Sequence, residues 1–227
     1  MKREIKEYPI LFSTPMVQAI LEGRKTQTRR VVKQSFGWDP IWKVSNEGNG
    51  SYCMRTGTQY SVPYFKCPYG QPGDVLWVRE TFLIKNGEYP TDWGILYKSD
   101  LGVSELEYSK ELKVKWKPSL FMPKAACRIF LRITNVRVER LHDINEADAK
   151  QEGVEVKEYG SHPFFCTRDY SYKKNSNGFW PGFCADTGDQ FSRSFKSLWR
   201  SINGEQSWND NPWVWVIEFE RVEGVDL

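Results

Sequence analysis

The sequence predicts an α+β fold, a small mixed β-barrel with a few flanking helices and three long insertions. Three segments, 75–83, 127–141 and 213–222, are rich in β-branched and aromatic residues and read as strands. No regular helical repeat alternates with them, which argues against a doubly wound parallel sheet. Between the β-like segments lie stretches 34–70, 85–124 and 155–190, which have the glycine-bearing, polar and aromatic make-up of irregular insertions.

Residues 8–12 form a short predicted strand. Ser13-Thr14-Pro15 then opens a helix, because proline loses nothing at the first helical position. Met16, Val17, Ile20 and Leu21 recur at helical spacing, and Gly23 closes the helix. Residues 25–32 carry alternation and β-branched side chains that fit a strand or an extended loop. Pro72-Gly73-Asp74 is a turn leading into the 75–83 strand. Within the insertions, Trp38 and Trp42 are scattered, and short strands are expected near 95–97 and 112–116.

The 127–141 strand carries Ile129, Leu131, Ile133, Val136 and Val138, with a break expected near Thr134-Asn135. A helix starts in 143–146, continues through Ala147, Ala149 and Gln151, and is closed by Gly153. Residues 190–202 form an amphipathic helix with Phe191, Phe195, Leu198, Trp199 and Ile202 on one face. Asn203-Gly204 ends it, and 213–222 is the closing strand.

The chain has 227 residues, of which 40% are apolar and 27% charged, as in ordinary soluble domains. That length suffices for a single domain, 1–227, carrying its insertions. Aromatics are heavy at 15%, so beyond the core there are flat faces for stacking. A net charge of +3, from 32 basic and 29 acidic side chains, excludes a protein that coats nucleic acid but leaves room for a local basic patch. The five cysteines (Cys53, Cys67, Cys127, Cys166, Cys184) are odd in number and none form a CxxC pair, so neither a disulfide framework nor a zinc knuckle is expected. No signal-like start and no membrane-length apolar run are seen, so a cytoplasmic setting is expected. His142 and His162 lack ligand-like neighbours; no metal and no cofactor is expected.

Four separated pieces carry a resemblance. They are Gly23-Arg24-Lys25-Thr26-Gln27-Thr28-Arg29-Arg30 after the first helix; Pro72-Gly73-Asp74-Val75-Leu76-Trp77-Val78-Arg79-Glu80; residues 133–141 running into the helix 145–153; and the final strand 214–219. Together, and in this order, they resemble the ASCH family of PUA-like barrels, and the version seen here looks like its phage and prophage members. The resemblance implies a cleft for a modified nucleoside or for RNA or DNA. Some members remove the acetyl group from N4-acetylated cytidine, using a Lys and a Thr of the first piece and a Glu of the later helix. Those positions fall on Lys25, Thr28 and Glu152. Other members are nucleic-acid binders, and one branch are ribonucleases.

Amide hydrolysis needs a nucleophile, a base and a proton donor for the leaving amine. Thr28 offers the hydroxyl, Lys25 serves as base once burial or nearby cations lower its pKa, and Glu152 shuttles a proton or orients the ammonium. Lys25 and Thr28 meet only if the chain bends, since residues three apart on a strand point to opposite faces. Arg24, Thr26, Arg30, Trp77, Arg79 and Glu80 are the candidates for substrate contact: the guanidinium fork suits phosphates and base edges, and Trp77 offers a stacking face. Trp208, Trp213 and Trp215 suit either stacking or the core.

Overall fold

The computed structural model describes residues 3–33, 43–46, 51–55, 65–85, 94–102, 115–158, 165–172, 182–184 and 188–222. In chain order the elements are β1 (Glu7–Leu11), α1 (Thr14–Leu21), β2 (Gln27–Val31), β3 (Lys43–Asn46), β4 (Ser51–Arg55) and β5 (Phe65–Lys66). There follow β6 (Val75–Arg79), β7 (Phe82–Lys85), β8 (Gly94–Tyr97), β9 (Phe130–Arg140) and α2 (Glu146–Gln151). The last third holds β10 (Val156–Glu158), β11 (Phe165–Arg168), β12 (Gly182–Cys184), α3 (Gln190–Asn203), α4 (Glu205–Asn209) and β13 (Trp213–Val222). The fold is α+β, built on a five-stranded mixed sheet in the order β1-β6-β9-β13-β2. Only β1 and β6 run parallel in it; the other pairings are antiparallel.

β13 is the strand on which two cores meet. Trp215, Ile217 and Phe219 face a core shared with Ile10, Leu76 and Leu131, while Val214 and Val216 face a second one with Phe195 and Trp199 of α3. Residues 214–217 are therefore buried without interruption, and the hydrophobic run seen in the sequence reflects burial on both faces. Full burial of each large apolar side chain contributes about 1.5–3 kcal/mol. The side chain of Trp215 is core, not a stacking face: it is 2% exposed, with Tyr52 edge-on at 4.9 Å and Phe65 at 5.3 Å.

Each of the three insertion stretches contains a small sheet. β3-β4-β5 lies in the first, β7-β8 spans the start of the second, and β10-β11-β12 lies in the third. Local pairing, which a mixed composition conceals, supplies their order. Trp38, Trp42, His162 and residues 112–114 lie outside the described residues.

Two sequence expectations need correction. Residues 75–83 are not one strand, because β6 ends at Arg79 and β7 begins at Phe82. The change of sheet falls where Glu80 turns inward to an ion pair with Arg128. The expected break at Thr134-Asn135 leaves β9 continuous and takes the form of a bulge: Glu218 pairs with Asn135 and Phe219 with Ile133, so Thr134 is the extra residue. The helix expected to start within 143–146 does so at Glu146, where Asn145 caps it by accepting from the Asp148 amide at 2.8 Å; the preceding turn is a 3₁₀ helix, Leu141–Asp143. Among the described residues, no helix is long and apolar enough to cross a membrane.

Candidate functional site

The Gly23–Arg30 segment wraps the end of α1 against the end of α2. Gly23 adopts a φ of 73°, the left-handed conformation that reverses the chain after a helix. The Arg24 and Lys25 amides then both donate to Ala19 O, Thr26 N donates to Gln151 O, and Lys25 forms an isolated bridge with Glu152. Only from Gln27 onward does the chain join the sheet, along β13. Lys25 thus precedes the strand, and the strand's alternation does not govern where its side chain goes.

Lys25 is fully buried, and its ammonium donates to Gln27 O at 2.8 Å, Glu152 O at 2.9 Å and Glu152 Oε2 at 2.8 Å. These three bonds use all three N–H groups of the ammonium. Glu152 Oε1 accepts from Arg29 Nη1 at 3.1 Å, so each carboxylate oxygen has a cation. Burial lowers the Lys25 pKa; the Glu152 charge and hydrogen bond oppose this, and Arg30 and Arg29 reinforce it. The third arginine near it in sequence, Arg24, turns its guanidinium away to Glu22 and Gly153 O.

Gly153 makes this approach possible. Its φ is 79°, and a Cβ there would stand 2.6 Å from Lys25 Cβ and 3.0 Å from Ala19 Cβ. The glycine that closes α2 is also the residue that lets Glu152 reach Lys25.

Thr28 pairs with Ile217 in the register of β2 and β13 and is 1% exposed. It lines a cavity of about 70 Å³ together with Arg29, Arg30, Glu152 and, from α3, Leu198 and Trp199. No hydrogen bond joins Thr28 to Lys25, and the Thr28 hydroxyl has no partner among the described residues. Arg30 donates to Leu11 O at 2.7 Å and sits over the Phe12 ring at 5.2 Å. It has no carboxylate within ion-pair distance among the described residues, while burial pushes its pKa down.

The other sequence candidates lie elsewhere. Thr26 is exposed and contributes backbone bonds. Trp77 and Arg79 stand on the face of β6 opposite the core residues Leu76 and Val78, stacked on each other at 5.4 Å. Arg79 is occupied with the carbonyls of Met122 and Leu120. Glu80 is 1% exposed and belongs to a separate cluster with Arg128 and Ser99. Strand parity decides Trp77 and Arg79, and the turn at Glu80 decides the third; none of them lines the cavity.

Sequence reasoning missed Arg29 as a site residue. Its side chain has 0% exposure and pairs with Glu139 at 2.5 Å, Asp148 at 3.0 Å and Glu152 at 3.1 Å. Arg137 joins the same carboxylates through Glu139 and Asp148. One signal was available: Asp148 and Glu152 are four residues apart and so share a helix face that must meet cations. Comparison of the chain with protein-family models, curated proteins and solved structures gives no match.

Proposed function

We propose that this protein is an ASCH-type, PUA-like protein with a nucleoside-binding cleft, and that it deacylates N4-acylated cytidine through Lys25, Thr28 and Glu152. The observation that carries the reading is the cavity lined by Thr28, Glu152 and Arg30, with Lys25 bonded to Glu152 directly behind it. Two of the three implied residues lie 127 positions apart in sequence, and the third opens onto the same space. A curled sheet, as a PUA-like barrel requires, is supported by Arg30 of one edge strand donating to Leu11 of the other.

The buried pair supplies both reagents. One proton passes from the Lys25 ammonium to the Glu152 carboxylate 2.8 Å away, giving a neutral amine and a carboxylic acid; burial lowers the Lys25 pKa and so eases the loss of that proton. The amine takes the Thr28 hydroxyl proton as Thr28 Oγ1 attacks the acyl carbonyl. The Glu152 acid protonates N4 of the leaving cytidine, and water then cleaves the acyl ester to release acetate. Arg30 faces the developing oxyanion or a substrate oxygen.

A second reading, a module that binds RNA, DNA or a modified base without turnover, is favoured by the three occupied donors of Lys25 and by the lack of a Lys25–Thr28 bond. The test is release of cytidine from N4-acetylcytidine by the purified chain. Turnover that disappears in Lys25→Ala, Thr28→Ala and Glu152→Ala supports the enzyme. No turnover, with RNA affinity that falls steeply in salt, supports the binding module, and RNA cleavage would instead make it a ribonuclease.

A further inference from the structure

We infer that Arg29, a residue outside the Lys25–Thr28–Glu152 set, is the positioning residue that fixes the Glu152 carboxylate toward the cavity. This rests on the reading of Glu152 as the proton shuttle. A shuttle must keep lone pairs free while its carboxyl group stays in one orientation. Glu152 meets both needs: Oε1 accepts from Arg29 and Oε2 from Lys25, one donor each, and a carboxylate has about four acceptor sites. Two cations on opposite oxygens prevent rotation, and the remaining sites belong to a group that lines the cavity.

The orientation of Arg29 is itself imposed. Its Nη2 donates to Glu139 of β9 and to Asp148 of α2, while Nη1 alone serves Glu152. The planar fork therefore registers α2 against β2 and β9, and a point charge cannot do this because it lacks the second arm. The guanidinium also packs over the Phe195 ring at 5.7 Å. Arg29 stands opposite Val216, one residue out of phase with Thr28 and Arg30, so it reaches Glu152 from the other face of β2.

The experiment compares wild type, Arg29→Lys and Arg29→Ala in the full chain, with N4-acetylcytidine as probe. Near-UV circular dichroism identifies the folded variants. The expected result is a folded Arg29→Lys with kcat reduced about 10²-fold at nearly unchanged KM, the loss that a misplacement near 1 Å produces. Arg29→Ala is expected to regain activity with millimolar guanidinium but not with urea, which is uncharged. A folded Arg29→Lys with wild-type kcat overturns the inference. If wild type itself does not turn over, the enzymatic reading falls, and a crystal structure of Arg29→Lys judges the positioning claim alone. A displaced Glu152 carboxylate there supports it, and an unmoved one overturns it.

Discussion

Lys25 Nζ and Glu152 Oε2 lie 2.8 Å apart with side-chain exposures of 0% and 4%, a desolvated ion pair between the turn that precedes β2 and the residue that ends α2. Removing one partner of such a pair strands a buried charge and costs about 3–5 kcal/mol. Lys25→Met or Glu152→Gln alone should lower the unfolding free energy by that much. The double variant should lose less than the sum of the two, because Arg29 retains Glu139 and Asp148. Urea unfolding of the four proteins measures the coupling, expected at about 1–3 kcal/mol. Strict additivity would show that the two side chains do not interact.

Two groups whose pKa values are both lowered contribute to the pH dependence in different windows. The Lys25 pKa is lowered below 10.5 by burial, so between its folded value and 10.5 the unfolded chain binds more protons. Stability attributable to Lys25 therefore rises with pH through that window. Cytidine release, which uses the proton shared by Lys25 and Glu152, should fall as that proton is titrated away, with a midpoint below 10.5. Asp74 behaves in the usual carboxylate sense. Burial pushes it up, but hydrogen bonds from Arg3 and from the Lys6 and Gln71 amides, with the Arg3 charge, carry it below 3.8. Its contribution is present above pH 3.8 and is lost as pH falls through the folded value. Urea midpoints measured across acid pH should decline less steeply in Asp74→Asn than in wild type.

The frame was legible because its signals are local. Pro15 and Gly23 bracket α1, and the aromatic and β-branched run at Trp213–Val222 is β13. The pairing of Glu152 with Lys25 was reached only through the family resemblance, since no local rule joins residues 127 apart. Arg29 was hidden for a related reason. A buried arginine looks like an exposed one in sequence until its three carboxylates, each more than a hundred positions away, are known. Glu80 misled because it follows a strand whose end, at Arg79, depends on the distant Arg128.

Gly153→Ala tests the close approach of α2 to Lys25. A Cβ at 2.6 Å from Lys25 Cβ must displace one of the two segments, and the residue must also keep a φ of 79°. Overpacking costs about 1–3 kcal/mol, and left-handed strain adds about 1–2 kcal/mol. The thermal midpoint should fall, and turnover should fall further than stability does, since Lys25 itself is what moves. Gly23→Ala is the control: it has a similar φ of 73° but nothing within 4 Å of a new Cβ, so it should show the strain alone. Equal losses in the two variants would remove the steric argument.

Arg30 is the cation of the cavity without a carboxylate partner among the described residues, so its loss should affect binding more than folding. Arg30→Ala gives up one hydrogen bond to Leu11 O and a contact with the Phe12 ring, together worth about 1–2 kcal/mol. For the enzyme, KM for N4-acetylcytidine should rise at least about tenfold, equivalent to about 1.4 kcal/mol of lost binding. For a nucleic-acid-binding module, the slope of log affinity against log salt should become shallower by about one. Arg24→Ala, whose guanidinium bonds Glu22 and Gly153 O instead of facing the cavity, should leave both readouts near wild type. If Arg24→Ala weakens binding as much as Arg30→Ala does, the cavity is not where the ligand sits, because only Arg30 of the two lines it.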